Sequence, residues 1–166
     1  MVGVLFAIFF IAGCAHKTSA TDINSTQIAS QMAAPEAQWS GRISLQILSE
    51  PPQAFYASFE LKGNAAEGEL TLFNPIGSIL AVMQWTPNDA TLLQGSIARS
   101  FSSADELLKQ ATGAALPVSA LFDWLNGRNL PALGWTADLS QLANRRLNAT
   151  RTMPEPKAEL RMVLDR

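Results

Sequence analysis

From Gln38 onward, apolar residues recur at every second position in one short segment after another, and turn residues interrupt the pattern at short intervals. Period two marks strands with one buried face, so the chain must form a sheet whose neighbours are joined by tight turns. Ile43, Leu45 and Ile47 alternate with Arg42, Ser44 and Gln46. After the Glu50-Pro51-Pro52 break, Phe55, Ala57, Phe59 and Leu61 alternate with Tyr56, Ser58, Glu60 and Lys62, until Gly63-Asn64 closes the strand. Thr86-Pro87-Asn88-Asp89 and Gly95-Ser96 read as turns around short strands at Ala90–Gln94 and Ile97–Ser100. Successive strands with such short connections pair as an antiparallel meander.

The centre of the pattern is the hairpin from Gly68 to Trp85, GELTLFNPIGSILAVMQW. Asn74, Pro75 and Gly77 occupy the first, second and fourth positions of a type I turn, where each is preferred. Leu70 and Leu72 share one strand face before the turn, and the alternation predicts the same for Leu80 and Val82 after it. A hairpin tip is ordinarily polar, yet this one carries Ile76 between Pro75 and Gly77. Ile76 is either covered by a neighbouring element or free to touch something else that is apolar.

The period then changes. Ser103-Ala104-Asp105-Glu106 is a capping box, Leu107, Leu108 and Ala111 form an apolar stripe, and Gly113 stops the helix. Leu116-Pro117 opens a second helix, with Val118, Leu121, Phe122, Trp124 and Leu125 on one broad face and Gly127 at its end. Strands resume at Trp135, Ala137 and Leu139, at Leu147, Ala149 and Arg151, and at Ala158, Leu160, Met162 and Leu164. Strands, two helices and strands again predict a mainly β fold with α: a curved antiparallel sheet with the helices against its concave face.

Val2 to Ile11 is an apolar run too short for a bilayer span, which takes about 20 residues, but suited to a signal-peptide core. It ends in Ile11-Ala12-Gly13-Cys14, with small residues before the only cysteine of the chain. That pattern looks like a bacterial lipobox, in which the thiol takes a diacylglycerol thioether after cleavage. A single cysteine also leaves no partner for an internal disulfide. No Lys or Arg precedes the apolar run, so the α-amino group supplies its positive charge or the start lies upstream. Residues 1–13 are therefore expected to be a leader and 14–37 a lipidated tether, with a short helical stretch from Ile23 to Ala33. Residues 38–166 form the domain. Ala15 stands where such lipoproteins carry Asp for inner-membrane retention, which points to the outer membrane.

Composition narrows the function further. A net charge of −2 and a pI near 5.3 argue against a nucleic-acid binder, which needs a concentrated basic surface. The only histidine, His16, lies in the tether, which leaves no Ser-His-Asp or Cys-His arrangement and no metal-ligand spacing. No phosphate-cradling glycine motif occurs. The pairs Glu67/Glu69 and Asp105/Glu106 read as solvated strand and helix-cap positions. The expectation is a protein without catalytic residues, metal or cofactor.

Five segments together resemble the outer-membrane lipoprotein receptor LolB family: Trp39 to Leu45, the GELTLFNPIGS stretch, Ser103 to Gly113, Leu116 to Gly127, and the C-terminal LRMVLD. The resemblance covers about Gln38 to Asp165, and its most specific parts are the Asn-Pro-hydrophobic-Gly-Ser loop and the two-helix insert. It implies an unclosed, half β-barrel capped by helices over an apolar cavity for acyl chains. It also implies a function: a monomer on the periplasmic face of the outer membrane of a Gram-negative bacterium. There it takes lipoproteins from the periplasmic carrier LolA and inserts them among outer-membrane phospholipids. The family's protruding loop matches Asn74, Pro75, Ile76 and Gly77, with Ile76 in place of leucine, and the segment before Trp39 is shorter and less helical than the family's. Candidates for the cavity lining are Phe55, Phe59, Leu70, Leu72, Leu80, Val82, Leu107, Leu108, Phe122, Trp124 and Leu125. Two other readings fit the same elements: a lipoprotein binding another small apolar ligand, or a structural envelope lipoprotein with a filled barrel.

Overall fold

The structure, a computed structural model, describes residues 37–165. The leader, the lipobox at Cys14, His16 and the stretch from Ile23 to Ala33 lie outside the described residues. Six strands come first: β1 (Gln38–Leu48), β2 (Gln53–Gly63), β3 (Gly68–Phe73), β4 (Ile79–Thr86), β5 (Asp89–Gln94) and β6 (Ile97–Phe101). Two helices follow, α1 (Ala104–Thr112) and α2 (Val118–Leu125), and then β7 (Trp135–Asp138), β8 (Arg146–Arg151) and β9 (Lys157–Leu164). A short 3-10 turn at Leu142–Asn144, which the periodicity does not announce, lies between β7 and β8.

All nine strands pair antiparallel in one sheet, in the order β6-β5-β4-β3-β2-β1-β9-β8-β7. The meander predicted for β1 to β6 is present, and β9 closes back onto β1 so that the last three strands extend the sheet on its other side. The sheet stays open, with β6 and β7 as its edges. The chain between those edges is the two-helix insert. On its way from one edge to the other it packs across the face of the sheet that carries the buried core, and that path makes the helices a cap.

The caps and faces follow from the residues. Ser103 Oγ accepts from the Glu106 amide at 3.2 Å, and Gly113 ends α1 in the left-handed region. The reciprocal arm of the box is displaced by one residue: the Glu106 carboxylate accepts from the backbone and hydroxyl of Ser102 rather than from Ser103. These bonds hold the Glu106 carboxyl below its usual pKa. Asp105 reaches the next helix, accepting from the Val118 amide at 2.9 Å and so satisfying an orphan N–H behind Pro117. Most of α2 is buried. Phe122 meets Trp39 and Trp85 edge-on, with ring centroids 5.5 and 6.3 Å apart, which joins the cap to β1 and β4.

One expectation is overturned. Leu72 pairs with Ala81 but Phe73 pairs with Ile79, so Leu80 is an extra residue in β4, a β-bulge. A one-residue slip exchanges the faces of everything beyond it. Ala81, Met83 and Trp85 therefore turn to the concave side beside Leu72 and Leu70, and Val82 lies on the convex side opposite Thr71 and Leu93.

Candidate functional site

Between the concave face and α1 lies a cavity of about 480 Å³. That volume falls within the roughly 300–1,000 Å³ common for ligand pockets. Leu45 and Ile47 of β1, Phe55 of β2, Leu72 of β3, and Ala81 and Met83 of β4 form its apolar wall. Ala111, Thr112 and Gly113, from the last turn of α1, roof it. A narrower enclosed space of about 30 Å³ continues inward among Ile43, Leu70, Leu108, Leu116, Leu121 and Leu160. Among the described residues no ionisable side chain lines either space. The strongly polar groups among them are Gln53, Gln94, Gln110 and Thr112. Such a lining suits an apolar occupant with a polar group left at the entrance.

The position of the entrance follows from topology. Gln53 begins β2, Leu80 sits at the start of β4, Gln94 ends β5 and Gly113 follows α1. All of these lie at the end of the sheet where β3 turns into β4. The cavity therefore opens at the end that carries the Asn74–Gly77 turn.

That turn is held by its own side chain. Asn74 Oδ1 accepts from the amides of Ile76 at 3.1 Å and Ser78 at 2.9 Å. The Asn74 carbonyl accepts from Gly77 at 2.9 Å, and its amide donates to Ser78 at 2.9 Å. Gly77 has φ 84°, a conformation that any side chain would strain. Pro75 removes the one amide that would otherwise lack a partner. The loop backbone is thus fixed while the Ile76 side chain stands 87% exposed, with no described residue covering it.

The expected lining residues divide into three groups. Phe55, Leu70, Leu72, Leu80 and Leu108 do line the two spaces. Phe59, Leu107, Phe122, Trp124 and Leu125 are buried in the packed core away from them. Val82 is on the convex face for the reason given above. Leu45, Ile47, Met83, Leu116 and Leu121 also line the spaces. Leu45, Ile47 and Leu121 sit on apolar faces the period predicts, Met83 turns inward only because of the bulge, and Leu116 lies in the connection before α2, so only register and packing show where a gap is left. Trp124 is instead a strut: its Nε1 donates to the Leu130 carbonyl at 2.9 Å and its ring tilts against Trp135.

Among the described residues no group of three or more His, Cys, Asp or Glu could hold a metal ion. The Asp138 carboxyl is held below its usual pKa by the Ser140 side chain and then by the Ser140 amide that donates to it, and it lies at the far end of the sheet from the cavity mouth.

The family described as outer membrane lipoprotein LolB matches residues 36–158. Three relatives are named outer-membrane lipoprotein LolB. The protein of Cupriavidus metallidurans is 30% identical over 144 residues, which covers 86% of this chain and 67% of that protein. The protein of Cupriavidus necator is 27% identical over 187 aligned positions, covering 97% and 92%. That of Ralstonia nicotianae is 33% identical over 134 residues, covering 79% and 62%. With the family match running from β1 into β9 and taking in the cavity and the protruding turn, this chain belongs to the outer-membrane lipoprotein LolB family.

Proposed function

We propose that this chain is an outer-membrane lipoprotein, anchored on the periplasmic face through Cys14, that receives lipoproteins from the carrier LolA and delivers them into the membrane. The observation that carries the reading is that the apolar cavity opens at the same end of the sheet as the uncovered Ile76. An acyl chain released by the carrier would enter between Phe55, Leu72, Met83 and the last turn of α1, leaving its glycerol and ester groups near Gln53, Gln94 and Gln110. At about 0.8 kcal/mol per buried methylene, a chain of about 16 carbons needs roughly 10 kcal/mol of apolar contact. A cavity open to solvent on one side covers a chain incompletely, which suits a transient holder. With no nucleotide motif in the sequence, direction comes from affinity alone: tighter than the carrier and weaker than the bilayer. Ile76 orients the tethered domain so that the mouth meets lipid.

The protein works as a monomer and without a catalytic step. The test is transfer in solution. The chain from residue 15 onward is mixed with carrier loaded with a radiolabelled triacylated lipoprotein, and the cargo is followed by size exclusion. Stoichiometric movement of cargo is expected. Cargo that stays with the carrier, while an unrelated apolar ligand binds, would favour a small-ligand lipoprotein instead.

A further inference from the structure

Every strand connection at the cavity-mouth end presents a large apolar residue to solvent. Leu48 does so at the end of β1 beside the β1–β2 connection, Ile76 in β3–β4, Ile97 at the start of β6 beside β5–β6, Leu133 on the approach to β7 and Met153 in β8–β9, and all five are more than half exposed. At the opposite end, the connections β2–β3, β4–β5 and β7–β8 carry no exposed large apolar residue. They carry Asn64, Glu67, Asn88, Asp89, Asn144 and Arg145 instead. Scattered exposed apolar residues, such as Tyr56 and Val163 on the strands, need no explanation, but the confinement of those at the strand connections to one end does.

Part of this rim is built against a backbone cost. Leu133 has φ 48°, a left-handed conformation unfavourable for a branched side chain, and Gly134 follows it at φ 80°. A Cβ on Gly134 would stand 1.5 Å from the Met153 carbonyl oxygen, so the two connections are packed backbone to backbone at that point. Leu133 and Met153 are thereby presented side by side, 58% and 66% exposed.

We propose that the whole rim is the membrane-docking face, with Ile76 as one of five contact points spread from β6 to β7 around the cavity mouth. The proposal rests on the delivery function argued above and gives it a geometry. A bilayer suits this pattern better than a protein partner does. The residues sit on separate loops, as single apolar points, whereas the core of a protein interface is a contiguous patch. A fluid apolar phase accepts such points independently. The charges on the same loops, Glu50 and Glu155 against Lys157 and an Arg128 that is paired to Asp123, leave no net positive field. Docking is therefore apolar and does not depend on anionic lipid.

The experiment uses the chain from residue 14 onward with Cys14→Ala, so that one introduced cysteine is the only thiol. An N-terminal oligohistidine tag holds it on phosphatidylcholine vesicles through a nickel-chelating lipid, with and without phosphatidylglycerol. An environment-sensitive fluorophore is placed in turn at positions 48, 76, 97, 133 and 153, and at 66, 88 and 143 of the opposite end. All five rim labels should shift to the blue and be quenched by a nitroxide lipid, equally with and without phosphatidylglycerol, while the other three stay in water. Quenching at position 76 alone would overturn the rim and leave the single-loop delivery reading intact. Quenching at none of the five would overturn both. Equal quenching at both ends, or rim labels shielded only by added LolA, would also overturn the proposal.

Discussion

The guanidinium of Arg151 lies 5.6 Å from the centre of the Trp135 ring, and its Nη2 donates to the Pro156 carbonyl at 2.8 Å. The side chain is buried on the concave side of β8, and among the described residues it forms no ion pair. Burial pulls its pKa below the usual arginine value, but a guanidinium stays charged at working pH. The ring face and a carbonyl thus take the place of a carboxylate, and they hold the β8–β9 connection that carries Met153.

Arg151 therefore matters through packing more than through charge. Arg151→Ala should lower stability by about 2–4 kcal/mol, as a buried long side chain is lost. Arg151→Met keeps the stem and relieves the buried charge, so it should cost no more than about 1 kcal/mol. Urea unfolding with an unchanged slope measures both, and equal losses would show that the cation itself holds the site.

The strands, both helices and the turn at Asn74 were legible because each rests on a local signal: alternation, a capping serine, or a Pro-Gly pair. The cavity was only half legible. The bulge at Leu80 has no residue signature; Leu70/Leu72 and Leu80/Val82 look equivalent until Leu72 is seen to pair with Ala81. Phe59, Phe122 and Trp124 looked like lining because large apolar residues fill a core or bound a void with the same pattern. Leu48, Ile97, Leu133 and Met153 carried no signal singly. Their meaning depends on which turns share an end, and that is fixed by strand order.

The lining can be tested without disturbing the core. Ala111 is exposed and borders the mouth, so Ala111→Phe should project into the space at little cost to folding. A phenyl group that displaces two or three methylenes of a bound chain removes roughly 2 kcal/mol, or about a 30-fold loss in affinity. Titration with a fluorescent fatty acid, together with a melting curve, checks this. An unchanged affinity would argue that the ligand lies elsewhere.

Anchoring should be separable from cargo binding. Cys14→Ser should abolish incorporation of labelled fatty acid and globomycin-sensitive processing, yet leave acceptance of lipoprotein in solution unaltered. If the Cys14→Ser protein still fractionates with the outer membrane as before, Cys14 is not the anchor.

Ile76 should act after cargo has been received. Its side chain offers about 1.5–3 kcal/mol of apolar transfer, too little to hold a protein on a membrane but enough to bias a domain already tethered there. A glutamate at this position removes that contribution and adds a desolvation penalty on entry. Folding should be untouched, because the loop is fixed by Asn74 and Gly77 and the side chain at 76 stands exposed among the described residues. Ile76→Glu should therefore melt at the wild-type temperature and accept lipoprotein from the carrier. Release into liposomes should fall by about 10-fold or more, the equivalent of losing at least 1.4 kcal/mol of orientation at the bilayer. Ile76→Leu should release normally. Full release by Ile76→Glu would remove the loop from the delivery step, and a lowered melting temperature would mean that Ile76 is packed in solution after all.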